Sequence, residues 1–239
     1  MLTITGSSGS AAPLFVLGLL AVGGLAYYSY LSQQKRRQRF AELASQLGMQ
    51  VERGDAIGLR QSGFGLFDDG RSRQVPILMR GPDAGAEHLG ERCAFEYHYT
   101  TGSGKNREVH HFIAAMVNLP ATVPPLDIGR EHFGTTMLRA IGFSDIALEN
   151  NEFNEAFRIK AADQQVAFAV LDGRLQEWLL AHRTMKWMNL ELRGSRVLMV
   201  RSGLDIEGIP EMLTFLAQFR DQIPEVVSSM YPRAIPGGS

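Results

Sequence analysis

Residues 92–119, RCAFEYHYTTGSGKNREVHHFIAAMVNL, carry the strongest structural signal in the sequence. Two runs rich in aromatic and aliphatic residues flank a polar GSGKN loop, a pattern typical of an antiparallel β-hairpin. A register centred on Gly104 gives three facing pairs: Tyr99 with Val109, Tyr97 with His111, and Phe95 with Ile113. This register predicts one apolar and one polar face, as in a half-buried sheet.

The polar face of this hairpin carries the first candidate site. In the predicted register His98 faces His110 across the strands, with Glu96 on the same side. Two imidazoles and a carboxylate are ligands that zinc uses in catalytic sites, with a fourth position left for water. The alternative is a solvated face of ordinary polar residues, because a one-residue shift of register separates the histidines. The sequence favours that alternative, and His111 is predicted to be a packed core histidine.

Around the hairpin, short apolar runs predict further strands, and helical spacing predicts separate helices. Strands are predicted at residues 49–52, 63–67, 74–80, 146–148 and 157–160, with a second hairpin formed by 186–192 and 196–201. A proline-rich break is predicted at 120–125, and helices at 130–141, 163–170, 175–181 and 209–223. Strands mixed with separate helices indicate an α+β domain of antiparallel hairpins and several packed helices.

Upstream of this domain, residues 11–31 (AAPLFVLGLLAVGGLAYYSYL) carry no charge and are long enough to span a bilayer as a helix. Tyrosines crowd the C-terminal end of this segment, where an aromatic belt would lie. Four cations follow: Lys35, Arg36, Arg37 and Arg39. The positive-inside rule therefore predicts a single-pass protein of the cell membrane with its N-terminus outside and its main domain cytoplasmic. A cleaved signal peptide is disfavoured, because no basic side chain precedes the apolar run and no small-residue cleavage site follows it.

These features divide the chain into five predicted regions. They are a short extracytoplasmic tail (1–10), a transmembrane helix (11–31), a basic juxtamembrane helix or stalk (32–48), the cytoplasmic α+β domain (49–232) and a flexible tail (233–239). Because no Pro or Gly interrupts residues 32–47, the membrane helix is predicted to continue as a rigid stalk capped by Gly48. The four stalk cations are also candidate ligands for lipid headgroups, unless they only set the topology.

Composition excludes several classes of function. A formal charge of −1 over 239 residues argues against bulk nucleic-acid binding. A single cysteine, Cys93, rules out an intramolecular disulfide and any cysteine-rich metal site. The GSGK stretch lacks the spacing of a phosphate-binding loop and is predicted to be a hairpin turn, and no G-x-S-x-G motif is present. No cofactor is predicted.

The chain resembles bacterial single-pass membrane-anchored proteins whose α+β cytoplasmic domain has no assigned activity. The resemblance rests on short blocks between residues 63 and 201: GFGLF at 63–67 with Gly70, FEYHY at 95–99, TGSGK at 101–105, LP at 119–120, DI at 145–146, EFN at 152–154 with Phe157, Asp163 and Trp187. The chain departs from that pattern at Glu96 and His111, where relatives more often have Asp and Gln. The resemblance implies an anchored α+β domain and supplies no catalytic residues.

Three functions remain open from the sequence. The first is a non-enzymatic interaction or scaffold domain on the cytoplasmic face, bound to a membrane protein partner, since no convergent catalytic set is present. The second is a small metal-dependent hydrolase that uses His98, His110 and Glu96. The third is a sensor domain for a small ligand. The sequence leaves the partner, the ligand, the oligomeric state and the physiological process open.

Overall fold

The computed structural model describes residues 11–130, 144–184 and 189–233. Within them the strands are β1 (Gln50–Arg53), β2 (Arg71–Gln74), β3 (Ile77–Pro82), β4 (Glu91–Thr101), β5 (Glu108–Arg130), β6 (Ser144–Ile146), β7 (Phe157–Ala161) and β8 (Leu190–Ser202). The helices are α1 (Ala11–Gln46), α2 (Asn151–Ala156), α3 (Gln164–Val170), α4 (Gly173–Ala181), α5 (Ile209–Gln222) and α6 (Glu225–Met230). The predicted α+β class, with an antiparallel sheet and several packed helices, is confirmed.

The strands form one antiparallel sheet in the order β1-β3-β4-β5-β7-β6, with β2 paired to β4 and β8 paired to β5. The 23-residue strand β5 organises this sheet, because its first half lies between β4 and β8 and its second half pairs with β7 and β8. Residues 120–125 lie within β5, so the predicted proline-rich break is wrong. Shifts of register between Asn118 and Leu126 accommodate the prolines, whose nitrogens cannot donate to a ladder.

The central hairpin forms, but its register differs from the predicted one by one residue. Tyr99 pairs with His110 and Tyr97 with Phe112, because the connection holds six residues, 102–107, instead of an odd number centred on Gly104. The GSGK stretch is part of this connection, as predicted, and contains a single 3₁₀ turn. The shift turns every side chain of β5 to the face opposite the one predicted, relative to β4.

Both faces of the sheet are buried, so the prediction of a solvated polar face is wrong. On one face the helices cover a core that includes Ala94, Ile113, Ala115, Val117, Phe215 and Phe219. On the other face, the segment before β2 covers a second core that includes Phe64, Phe67, Phe95, Tyr97 and Phe112. The GFGLF residues, predicted as a strand, form a 3₁₀ turn over Gly65–Phe67 that places aromatic and aliphatic side chains on this second face.

The second predicted hairpin is instead the single strand β8. Gly194 adopts a φ of +57° within it, and the ladder to β5 shifts register there without reversing direction. A glycine with positive φ is compatible with a bulge as well as with a turn, and here it forms the irregularity in a strand. The predicted helix at 130–141 falls outside the described residues beyond Arg130, which ends β5, and so does most of the 186–189 stretch.

Two helix predictions are confirmed, one by its N-cap and the other by its buried face. Asp163 caps α3 by accepting a hydrogen bond from the backbone N–H of Gln165 at 2.9 Å. Helix α5 begins at Ile209 and buries the predicted stripe, including Met212, Leu216 and Phe219.

Helix α1 connects the N-terminal apolar segment to the domain. It runs without interruption over Ala11–Gln46, and Gly48 follows with a φ of +66°, a conformation that favours glycine after a helix. Its last turns are part of the first core, since Phe40 is 0% exposed and Ala44 1% exposed. No helix in the part of the chain described here offers a segment long and apolar enough to cross a membrane.

Candidate functional site

The predicted metal ligands do not converge. His98 lies opposite His111, with ring centroids 5.5 Å apart, and not opposite His110. His110 projects from the other face of the sheet, where its Nε2 hydrogen-bonds to the Thr101 hydroxyl at 2.8 Å and its ring packs on Tyr99. Across the described ranges, no group of three or more His, Cys, Asp or Glu residues could hold a metal ion.

Glu96, the third predicted ligand, instead forms an ion pair with the stalk. Its Oε1 lies 3.0 Å from Nε of Arg36, and its side chain is only 5% exposed. Burial raises the pKa of Glu96, while the charges of Arg36 and Arg37 act in the opposite direction. Glu96 lies on the sheet face that the helices cover, so this pair ties the basic part of α1 to the centre of the sheet.

The surroundings of His98 and His111, the two histidines beside this ion pair, favour their neutral forms. Partial burial lowers the pKa of His98, and the neighbouring His111 and Arg36 lower it further. Partial desolvation of the ring is also the largest cause of the lowered pKa of His111, followed by the positive charge of Arg36. His111, predicted to be a core residue, is exposed. The imidazoles therefore add little charge beside Arg36 and leave Glu96 as its buried counterion.

A groove lies where the stalk meets the loop after β8. It has a volume of about 370 Å³ and is lined by Ser32, Lys35, Arg36 and Arg39 of α1 and by residues 204–207. The loop carries two carboxylates: Glu207 lies 3.5 Å from Arg39 of the stalk, whereas Asp205 pairs with Arg201 of β8 at 2.6 Å. Three of the four predicted lipid-binding residues, Lys35, Arg36 and Arg39, therefore line one groove, whereas Arg37 does not line it.

A buried charge cluster on the opposite face of the sheet is a feature that the sequence analysis missed. Asp127 and Glu191 are directly opposite each other on β5 and β8, and they are 1% and 3% exposed. Both share Arg193, whose Nη1 lies 2.6 Å from Asp127 Oδ1 and whose Nη2 lies 3.4 Å from Glu191 Oε2. Among the described residues, Asp127 Oδ2 and Glu191 Oε1 have no hydrogen-bond partner. The signal in the sequence was charge beside apolar residues: Glu191 and Arg193 in ELR at residues 191–193, and Asp127 between Leu126 and Ile128.

This cluster holds the GFGLF segment against the sheet. The backbone N–H of Gly65 donates to Glu191 Oε2 at 2.6 Å, and Nε of Arg193 donates to the Gly63 carbonyl at 3.2 Å. Complete burial, with the charge of Asp127 beside it, raises the pKa of Glu191 to about 7, although Arg193 opposes the shift. The pair Asp127–Glu191 therefore takes up a proton near neutral pH.

We expect the Glu191→Gln variant to be more stable than the wild type at pH 8 and nearly equal to it at pH 5. A folded pKa near 7, above the unfolded value of 4.5, means that the folded state holds a proton that the unfolded state releases. That stabilisation is present below pH 4.5 and is lost as the pH rises to 7, with a total on the order of 3 kcal/mol. Thermal unfolding of the full chain in mild detergent across this pH range measures it.

The exposed Glu177 on α4 provides the matched control, since Glu177→Gln should leave the pH profile of the melting temperature unchanged. A Glu191→Gln variant with the same pH profile as the wild type would show that Glu191 stays ionised in the folded protein.

Cys93, the single cysteine, lies buried in β4, as a structural thiol does. Burial raises its pKa to about 12, so the reactive thiolate is scarce at neutral pH. Burial and the raised pKa both favour a structural role for Cys93.

Comparison with known proteins adds one structural likeness. No protein-family model matches the chain, and no curated protein matches it by sequence. The crystal structure of the mycobacterial trehalose monomycolate transport factor A, TtfA, has a similar fold, with a TM-score of 0.54 and 11% sequence identity. The match covers 83% of this chain and 97% of that chain. At this identity the likeness shows a shared fold alone.

Proposed function

We propose that this chain is a non-enzymatic interaction domain, anchored by residues 11–31 as a single-pass helix at the cytoplasmic face of the cell membrane. The observation that carries the proposal is the continuity of α1 from that apolar segment to the buried residues Phe40 and Ala44. A helix without a flexible linker would hold the domain at one distance and one orientation from the bilayer, as a scaffold for a neighbouring membrane protein requires.

The exposed side chains of α1 support the anchor. Leu20, Tyr27 and Tyr28 are 67%, 64% and 73% exposed, so the domain does not cover them. Apolar and aromatic side chains that the protein does not cover, on a helical segment without charges, are stabilised by hydrocarbon and by its interface. The basic residues after position 34 support an orientation with the domain in the cytoplasm.

The interactions between stalk and domain support a role that depends on orientation. The ion pair of Arg36 with the buried Glu96 and the packing of Phe40 both resist rotation of α1 relative to the sheet. The structural neighbour is named as a trehalose monomycolate transport factor, so this fold occurs in a protein that is named for a role in transport. We propose a membrane protein as the partner of the present chain.

The test is an affinity purification of the tagged full chain from native membranes in mild detergent, with mass spectrometry of the bound proteins. We expect one membrane protein in stoichiometric amount. A flexible Gly-Ser insertion between Ser32 and Gln33 should lower its recovery, because the anchor and the domain persist while their relative orientation is lost. The same insertion between Ser103 and Gly104, in the exposed hairpin connection, is the matched control.

A chain that purifies alone and monodisperse, with or without prior crosslinking in the membrane, would contradict the interaction function. If the partner were recovered equally with both insertions, the interaction function would stand, but partner binding would not depend on a rigid stalk.

A further inference from the structure

The groove beside the stalk carries fixed charges of both signs. Lys35 and Arg39 lie on one wall, on α1, and Glu207 lies on the other, in the loop after β8. Lys35 is exposed and has no ion-pair partner among the described residues. The walls therefore present a positive and a negative site a short distance apart.

The one ion pair across this groove is easily opened. Arg39 and Glu207 are 69% and 70% exposed, and the atoms that pair are 3.5 Å apart. Exposed pairs of this kind contribute about 0–1 kcal/mol to stability. A ligand with its own phosphate and ammonium groups could replace this contact with two charge-assisted hydrogen bonds, each stronger than a neutral one.

The position of the groove along α1 matches the depth of lipid headgroups, if residues 11–31 span the bilayer as proposed. A helix rises 1.5 Å per residue, which places Lys35 roughly 6 Å beyond the end of the apolar segment. The headgroup layer of one leaflet is roughly 5–7 Å thick. Lys35 would thus lie within this layer, and Arg39, roughly 12 Å beyond the apolar segment, would lie on the cytoplasmic side of it.

The lining also discriminates between headgroups. A purely anionic headgroup would take Arg39 from Glu207 and leave the Glu207 carboxylate beside a second negative charge. A choline headgroup has no N–H to donate to a carboxylate and is usually recognised by aromatic rings, none of which is present among the residues that line the groove. A headgroup with a primary ammonium beside a phosphate can pair with the cations of one wall and with the Glu207 carboxylate of the other.

We propose that this groove binds the phosphoethanolamine headgroup of a membrane phospholipid, with Lys35 and Arg39 on the phosphate and Glu207 on the ammonium. This inference rests on the proposed membrane anchor. Binding would fix the height of the domain above the bilayer and would reduce the repulsion of the acidic remainder of the chain, which carries 20 basic against 25 acidic residues without the four stalk cations.

The test equilibrates the full chain, in mild detergent, with an equimolar mixture of phosphatidylethanolamine, phosphatidylcholine and phosphatidylglycerol that share the same acyl chains. Lipids that stay bound after gel filtration are counted by mass spectrometry. We expect phosphatidylethanolamine to be retained about tenfold over phosphatidylcholine, the ratio that one charge-assisted hydrogen bond provides. Glu207→Gln should abolish this preference, and Arg39→Gln should reduce retention of all three lipids.

Arg37→Gln is the matched control, because Arg37 is an exposed cation of the same helix that does not line the groove. Equal retention of the three lipids, a preference for phosphatidylglycerol, or an equal loss in the Arg37 variant would overturn the proposal. Displacement of the lipid by free phosphoethanolamine would identify a soluble ligand instead of a membrane lipid. Extraction of the wild-type chain from membranes by alkaline carbonate would refute the anchor itself, whereas a membrane-retained chain without lipid preference refutes the headgroup site alone.

Discussion

The Arg193→Met variant should lose about 3–5 kcal/mol of unfolding free energy, because it removes the cation that two buried carboxylates share. The Arg193 side chain is 8% exposed, and besides Asp127 and Glu191 it binds the carbonyl oxygens of Gly63 and Leu192. Methionine fills a similar volume but cannot donate to any of these groups. Urea unfolding of the full chain in mild detergent, followed by circular dichroism, measures the loss.

Two further variants separate loss of charge from loss of packing. Arg183→Met removes an exposed ion pair to Glu152 and should cost under about 1 kcal/mol. The triple variant Asp127→Asn, Glu191→Gln, Arg193→Met has no buried charge in the cluster and should recover part of the stability that Arg193→Met loses. A loss below about 1 kcal/mol in Arg193→Met would mean that the carboxylates are already neutral and that the cluster is not an ionic bridge.

The second large effect is expected from Phe40→Ala, which should lower the unfolding free energy by about 3–5 kcal/mol. Phe40 is 0% exposed and is the largest side chain that α1 contributes to the core. Its removal leaves a cavity between the stalk and the sheet, so the last turns of α1 should exchange their amide hydrogens faster than in the wild type. Hydrogen exchange of residues 36–46, together with thermal unfolding, measures both changes.

Gln38→Ala is the control on the exposed side of the same helix and should change neither quantity. If Phe40→Ala melts at the wild-type temperature with protected stalk amides, then the stalk and the domain are separate units, and the rigid connection proposed for the anchor does not exist.

The local elements were the most predictable part of the fold. Helix α5 was predictable because its apolar residues repeat with helical spacing and face one core. Helix α3 was predictable because Asp163 precedes the apolar run at a capping position. Both signals lie within a few residues of the element that they specify.

The register of the central hairpin and the burial of the second sheet face were not predictable, because both depend on distant parts of the chain. The hairpin register follows from a connection of six residues, and neither strand sequence favours that length over five. The second core exists because residues 59–67 fold over the sheet, which turns an expected solvated face into a buried one. A glycine such as Gly194 is compatible both with a turn that reverses the chain and with a bulge within one strand. Here the residues before and after Gly194 both pair with β5, so the chain continues as one strand with a bulge.

In the candidate sites too, features set by neighbouring residues were predictable, and features that join distant residues were not. The cations of the stalk were predictable as a cluster, since they are adjacent in sequence and follow an apolar run. Their partners were not, because Glu96 and Glu207 lie 60 and 168 positions beyond Arg36 and Arg39 along the chain. The cluster of Asp127, Glu191 and Arg193 likewise joins residues from two distant strands.

The most direct test of the anchored, cytoplasmic domain is the accessibility of single introduced cysteines in intact cells. The native Cys93 is buried and gives little background, so Ser8→Cys and the exposed Ser103→Cys can each be labelled alone with a membrane-impermeant maleimide. We predict labelling of Ser8→Cys in intact cells and of Ser103→Cys only after the membrane is permeabilised. Labelling of Ser103→Cys in intact cells, or protection of Ser8→Cys until permeabilisation, would contradict the proposed anchor and orientation.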